Sequence, residues 1–134
     1  MAPEVIKREG HGRAVDWWCV GCIICEMMMG IPPFYSKGYK ELFRKIKTER
    51  PTLPSCSIQL RNLLEGLFNK NPEERLGSTK GAEEIKGHPW FENIDWTALL
   101  RSSIKPPFLP ILQNNEDVGN FAPEFTESNI DSGS

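Results

Sequence analysis

The most apolar part of the chain is the segment 17–29, which is interrupted only by one glycine and one glutamate. Asp16 precedes it as an N-cap or first-turn residue, and Gly30 is a natural helix stop. A helix that is apolar on almost every side is normally buried on every side. The pattern therefore predicts a central helix with Trp17 and Trp18 in the core, and such a helix demands many neighbours.

Shorter helical patterns follow this segment. Residues 39–47 form an amphipathic pattern, Ser57 is a good N-cap for a helix that runs to about residue 68, and residues 82–87 permit one more short helix. Residues 1–13 contain proline and glycine and predict a loop. The prolines beyond residue 100 disfavour regular structure, and no segment has a clear strand pattern. We therefore predict an all-α fold followed by an extended tail.

Composition and charge exclude several classes of function. Hydrophobic residues make up 39% of the 134 residues and charged residues 25%, which is ordinary for a soluble domain. The formal net charge is −2 without a basic stripe, which argues against nucleic-acid binding. No apolar run approaches the ~20 residues that span a bilayer, and no signal peptide is recognisable. We expect a cytoplasmic protein without a membrane span.

The cysteines allow two interpretations. Cys19, Cys22 and Cys25 repeat at a spacing seen in some zinc and iron–sulfur sites. They also lie within the apolar helical segment, where small buried thiols are common in cytosolic proteins. No nearby residue completes a set of four ligands. We therefore predict buried structural thiols and no metal site.

A series of short motifs identifies the family. In order these are Ala2-Pro3-Glu4, AVDWW at 14–18, NPEERLG at 71–77, EEIKGHPWF at 83–91, PPFLP at 106–110 and DVGNFAPEFT at 117–126. Each motif is modest, but the order and spacing are specific, and the first one ends the activation segment of protein kinases. The chain resembles AGC-family serine/threonine protein kinases over nearly its whole length. It looks closest to the branch that phosphorylates a small-subunit ribosomal protein, and protein kinases A, B and C and the serum/glucocorticoid-induced kinases are nearly as similar.

This resemblance implies a domain organisation. Residues 1–91 would be a partial protein kinase domain, from the Ala-Pro-Glu motif to the end of the large helical lobe. Residues 92–134 would be the AGC-kinase C-terminal tail, largely extended or disordered. The fold class implied is the all-α C-terminal half of the large lobe.

The resemblance also implies roles for five residues. Glu4 matches the activation-segment glutamate and Arg75 the arginine that anchors it through two parallel hydrogen bonds. Asp16 matches an aspartate that accepts hydrogen bonds from catalytic-loop amides, and without that loop its best remaining role is to cap its own helix. Glu26 matches the residue that recognises a basic residue of the substrate. Phe121 would lie at the edge of the adenine pocket in the parent kinase.

The motifs that perform phosphoryl transfer do not occur in this sequence. Kinases need a glycine-rich loop, a strand lysine, an HRD-type catalytic loop and a Mg²⁺-binding DFG motif. In the family all of them precede Ala-Pro-Glu, and only Met1 stands before Ala2 here. We expect that Met1 is an internal methionine of a longer kinase. We also expect no catalytic residue, no cofactor and no activity in this chain alone, while the parent uses ATP and Mg²⁺.

The expected partners are protein substrates with basic residues near Ser or Thr, together with the missing N-terminal kinase portion. An alternative function is a non-catalytic kinase-like module that binds substrates or regulators. Coding sequence upstream of Met1 with in-frame kinase motifs would favour the enzyme fragment. A stable, abundant product of 15.2 kDa in cells would favour the binding module.

Overall fold

The computed structural model describes residues 1–111, 113–114 and 116–126. The chain divides into two compact units, Met1–Trp96 and Thr97–Ser134. Every regular element in the described part is helical, in agreement with the predicted all-α class. The elements are α1 (Pro3–Ile6), α2 (Ala14–Met29), α3 (Tyr39–Thr48), α4 (Ile58–Leu67), α5 (Ala82–Lys86), a 3-10 helix (Pro89–Phe91), α6 (Trp96–Leu100) and α7 (Pro123–Thr126).

Helix α2 forms the centre of the first unit and packs against α4. It ends at Gly30, which adopts a left-handed conformation with φ of 72° and donates its N–H to the Glu26 carbonyl. Its first residue is Ala14, so Asp16 lies inside the first turn, and no side chain caps the helix. The predicted N-cap position of Asp16 is therefore wrong, although the first-turn alternative holds.

An aromatic cluster fills the core between α2 and α4. The ring of Trp18 stacks on Phe34 with centroids 5.8 Å apart, and it meets Phe68 edge-on at 5.1 Å. Trp18 is buried as predicted, whereas Trp17 is only partly buried. Such aromatic side chains dominate the burial energy of small cores, and offset or edge-on pairs add about 0.5–1.5 kcal/mol each.

In helix α4 the local sequence determines both where the helix begins and which of its faces is buried. The Ser57 hydroxyl accepts a hydrogen bond from the Leu60 N–H at 3.2 Å, so the predicted N-cap is confirmed. Four leucines spaced three or four residues apart form its buried stripe, namely Leu60, Leu63, Leu64 and Leu67. The predicted helices at 39–47 and 82–87 are also confirmed within one residue.

Four short helices occur where the sequence predicted none. Helix α1 lies within the predicted loop 1–13, the 3-10 helix follows α5, and α6 and α7 lie within the tail that was expected to be largely extended. All but α6 begin with a proline, whose fixed φ suits the first helical position and whose missing N–H costs nothing there. Because each has only three to five residues, hydrophobic periodicity was too short to reveal it.

The neighbours that the central helix demands are incomplete in the first unit. Ile23 is 54% exposed and Met27 is 75% exposed, so α2 presents one apolar face that no described residue of the first unit covers. This exposed face agrees with the expectation that the helix needs neighbours from a missing part of the kinase. Among the described residues no helix is both long and apolar enough to span a membrane.

Candidate functional site

Helix α1 places Glu4 in the interior of the first unit. Ala2 and Pro3 are buried beside it, and the Glu4 side chain is only 2% exposed. The Ala2 carbonyl accepts hydrogen bonds from the next turn, at Val5 and Ile6. This turn holds the glutamate at a fixed position against the segment that follows α4.

That segment supplies Arg75, which is completely buried. Its N–H bonds to the Asn71 carbonyl at 3.0 Å, and its Nε donates to the Asn69 carbonyl at 2.9 Å. The guanidinium carbon lies 5.1 Å from the centroid of the Trp18 ring. Backbone turn, side-chain hydrogen bond and aromatic ring together orient the guanidinium toward α1.

Glu4 and Arg75 meet as a bidentate ion pair. Arg75 Nη1 donates to Glu4 Oε1 at 2.7 Å and Nη2 donates to Oε2 at 2.9 Å. Nη1 also donates to the Ala14 carbonyl at 2.9 Å. One side chain thus connects α1, the start of α2 and the turn after α4, which are up to 71 residues apart in sequence.

The environment of the pair favours its charged form. Burial opposes ionisation of Glu4, but the hydrogen bonds and positive charge of Arg75 outweigh it and lower the pKa of the carboxyl group. No buried side-chain nitrogen or oxygen in the described chain lacks a hydrogen-bond partner. A buried ion pair is tolerated under these conditions because its remaining polar atoms are satisfied.

The other predicted site residues take no part in this ion pair, and within the first unit Asp16 and Glu26 border different cavities. Asp16 is exposed at the edge of an open cavity of about 1000 Å³ that is also lined by Trp17 and Gly77. Glu26 is exposed further along α2, beside a cavity of about 270 Å³. Phe121 belongs to the second unit and is 65% exposed.

His88 is a buried polar residue to which the sequence analysis assigned no role. Its Nδ1 accepts the Trp90 N–H at 3.1 Å, so Nε2 carries the ring proton and donates to Asn62 Oδ1 at 2.8 Å. Burial lowers the pKa of His88 and keeps the ring neutral. The available signal was a histidine directly before Pro89, where an N-cap acceptor is expected.

The cysteines have unequal surroundings. Cys19 is exposed, which corrects the expectation of a buried thiol, while Cys25 is fully buried. Burial raises the pKa of both Cys22 and Cys25 to about 11, so both stay protonated at neutral pH. Among the described residues no cluster of His, Cys, Asp or Glu could hold a metal ion.

Comparison with known proteins identifies the family of this chain. Residues 1–91 match the protein kinase domain. The chain is 42% identical over 128 residues to Protein kinase 2 of Dictyostelium discoideum, covering 95% of this chain and 26% of that protein. It is 40% identical over 131 residues to the serine/threonine-protein kinase Sgk3 of Rattus norvegicus, covering 97% and 26%.

A third relative is the serine/threonine-protein kinase gad8 of Schizosaccharomyces pombe, which is 42% identical over 127 residues, or 94% of this chain and 22% of that protein. The chain thus spans about a quarter of the length of these relatives. The matched region contains the ion pair and all the helices of the first unit up to Phe91. The chain therefore belongs to the protein kinase domain family, as an all-helical part of the large lobe of an AGC serine/threonine kinase.

Proposed function

We propose that this chain anchors the activation segment and binds the substrate within a larger kinase, whose other residues carry out phosphoryl transfer. The parent would transfer the γ-phosphate of ATP to Ser or Thr near basic residues of cytoplasmic proteins. The observation that carries the proposal is the buried bidentate pair between Glu4 and Arg75. We assign residues 1–91 to the kinase domain and residues 92–134 to the C-terminal tail.

The ion pair supports an anchoring role because of what it holds. It fixes the Ala-Pro-Glu turn to the start of α2 and to the turn after α4. Because Arg75 is itself held by the Ala14 and Asn69 carbonyls, its bonds to Glu4 fix the position of this turn, and the chain that precedes Ala2 in a kinase would leave the turn in a defined direction. Catalysis of phosphoryl transfer depends on such positioning.

Asp16 fits a contact with a segment outside this chain. Its carboxylate is exposed, and no hydrogen bond to it is found among the residues that the structure describes. A carboxylate can accept several backbone N–H groups at once. We therefore assign Asp16 to hydrogen bonds with the catalytic loop of the parent kinase, with its position in the first turn of α2 as its local role.

Glu26 supplies the chemistry for a basic substrate. Its exposed carboxylate has no ion pair within the described chain, and it borders a cavity whose walls include Pro33, Phe34 and Leu42. A substrate arginine can place its guanidinium on the carboxylate and its aliphatic stem along the apolar wall. This arrangement supports substrate recognition at Glu26.

The proposal assigns binding of ATP and Mg²⁺ to the parent kinase, because the motifs that hold them precede Ala-Pro-Glu in the family. Phe121, which is 65% exposed, would border the adenine base there.

A chimera tests the proposal. We would replace the matching region of Sgk3 from Rattus norvegicus with this chain and measure phosphorylation of a serine peptide that carries upstream arginines. We expect turnover from the chimera and none from the 134-residue chain alone. In the chimera, Glu26→Gln should raise the KM for this peptide by about tenfold, which corresponds to ~1.4 kcal/mol, with little change in kcat.

The matched control is Glu92→Gln, which removes another exposed carboxylate of the first unit. It should leave KM unchanged, and a peptide without arginine should not distinguish Glu26→Gln from the parent chimera. An unchanged KM in Glu26→Gln would refute the substrate site. Turnover by the isolated chain would refute the claim that phosphoryl transfer needs residues outside this chain. Peptide binding by the isolated chain together with an inactive chimera would favour the non-catalytic module.

A further inference from the structure

A third cavity lies in the first unit, and neither Asp16 nor Glu26 lines it. Its volume is about 410 Å³, and it is formed by the segment after α3, by α4 and by the residues that follow α4. Three apolar side chains and four charged ones line it, namely Pro51, Leu53 and Phe68, with Arg50, Arg61, Glu65 and Lys70. No residue of α2 contributes to its wall, so it is separate from the proposed substrate site.

The wall of this cavity carries an excess of positive charge. Three cationic side chains accompany a single carboxylate, that of Glu65. In the part of the chain that the structure describes, neither Arg50 nor Arg61 forms an ion pair or a side-chain hydrogen bond. The exposed Arg44 of α3 differs, because Glu41 and Glu49 both neutralise it. The cavity therefore offers two arginines whose hydrogen-bonding capacity is unused.

Lys70 adds a charge with a defined position. Its Nζ donates to the Ile46 carbonyl at 2.6 Å and lies 5.0 Å from the centroid of the Phe34 ring and 5.6 Å from that of Trp18. The carbonyl and the faces of the two rings hold the ammonium by hydrogen bonding and cation–π attraction. No side-chain carboxylate bonds to it in the described chain. The charge of Lys70 is thus ordered but not neutralised by an ion pair.

We propose that this cavity binds a small organic anion in which a phosphate or carboxylate group is joined to an aromatic body. The anionic group would interact with Arg50, Arg61 and Lys70, since guanidinium groups suit such oxyanions. The aromatic body would pack on Leu53 and Phe68. The cavity volume of about 410 Å³ lies within the range of roughly 300–1000 Å³ typical of ligand pockets.

The test uses phenyl phosphate as the probe and the ¹⁵N-labelled 134-residue chain at low ionic strength. Amide resonances of Leu53, Arg61 and Phe68 should shift saturably, with a Kd in the millimolar range or below. Inorganic phosphate lacks the aromatic body and phenol lacks the charge. Because both parts of the ligand contribute to binding, each of these compounds should bind at least about fivefold more weakly than phenyl phosphate.

Variants then locate the site. Arg50→Gln and Arg61→Gln should each weaken binding of phenyl phosphate by about three- to tenfold, and Arg61→Lys should restore part of the loss. Arg101→Gln removes the same charge from the second unit and is the matched control, so it should have no effect. The dispersion of the same spectra verifies that each variant is folded.

Several results would overturn the proposal. Shifts that do not saturate, or that spread over the whole chain, would show only nonspecific association. If phenol bound as tightly as phenyl phosphate, the anionic group would have no role in binding. If inorganic phosphate bound as tightly, the aromatic body would have none. If Arg101→Gln weakened binding as much as Arg50→Gln or Arg61→Gln, the effect would come from net charge and not from this cavity.

Discussion

Arg75 connects more parts of the first unit than its local sequence indicates. Its guanidinium reaches Glu4, Ala14 and Asn69 while it lies against the ring of Trp18. A planar fork with five N–H donors can serve several acceptors at once, which an ammonium group cannot do with the same geometry. The residue is therefore specified by shape as well as by charge.

Removal of this side chain should destabilise the first unit strongly. Arg75→Ala leaves the Glu4 carboxylate buried without its partner, and such losses cost ~3–5 kcal/mol. Arg75→Lys keeps the charge but loses the bidentate geometry, so its loss should be intermediate. Chemical denaturation followed by circular dichroism measures the change in the free energy of unfolding.

Arg44→Ala is the matched control, because Arg44 also forms ion pairs, with Glu41 and Glu49, but on the protein surface. Solvent screens these exposed pairs, and we expect little change in stability. Wild-type stability in Arg75→Ala would show that the buried pair is not an anchor.

Contacts between elements depend on close approaches as much as on apolar faces. Gly77 lies in the turn between α4 and α5 with φ of 96°, and a Cβ placed there would lie 2.5 Å from Cδ1 of the Trp17 ring. Gly81 in the same connection has φ of 63° with open space around it. The first glycine thus serves both backbone conformation and packing against α2, whereas the second serves conformation alone.

This difference predicts unequal effects of alanine at the two positions. Gly81→Ala should cost ~1–3 kcal/mol, because its φ of 63° and ψ of −136° lie in a region that is strained for a residue with a Cβ. Gly77→Ala should cost ~1–3 kcal/mol more, because the new methyl group also displaces the ring of Trp17. Thermal denaturation of the two variants measures the difference directly. Equal losses would contradict the packing role of Gly77.

Over the whole first unit, the central helix α2 has two different faces. One face packs on α4, where Gly21 lies against Leu67, and it buries Trp18 and Cys25, whereas the opposite face leaves Ile23 and Met27 largely exposed. Burial of such side chains is worth roughly 1.5–3 kcal/mol each, so an uncovered apolar face favours association. We expect the isolated chain to self-associate through this face.

Substitution of the exposed face should suppress this association. The double variant Ile23→Gln with Met27→Gln should bind less of a hydrophobic dye and sediment at a lower average mass than the unmodified chain. Its melting temperature should change little, since both side chains are exposed. Ile58→Gln is the control, because Ile58 is 78% exposed at the start of another helix. An equal effect of the control would show that association does not depend on α2.

Local sequence sufficed for the features that depend on short-range physics. Ser57 starts α4 and Gly30 ends α2 because hydrogen bonding and backbone conformation near a helix end involve only a few residues. The motif series was sufficient for the kinase family, and the match to residues 1–91 confirms it. The single turns α1 and α7 were missed because four residues hold no detectable period.

The same distinction between local sequence and tertiary contacts applies to the site residues. The resemblance paired Glu4 with Arg75, but the added bonds to Asn69 and Ala14 and the position over Trp18 are visible only in the folded chain. The buried role of His88 was missed because its partner Asn62 is 26 residues away in sequence. The roles of Asp16, Glu26 and Phe121 stay predictions, and the variant Glu26→Gln in the chimera tests that of Glu26.

Sequence alone was therefore enough to establish the helical class, the approximate limits of α2 to α5 and the kinase family, since each depends on neighbouring residues or on the order of motifs. Which residues form the exposed face of α2, the collision that forces glycine at position 77 and the cationic cavity beside Lys70 emerged only from the folded chain. Each of these depends on which distant segments come into contact and which surfaces stay uncovered. Periodicity reports the apolar character of a face, but only packing decides whether that face has a partner.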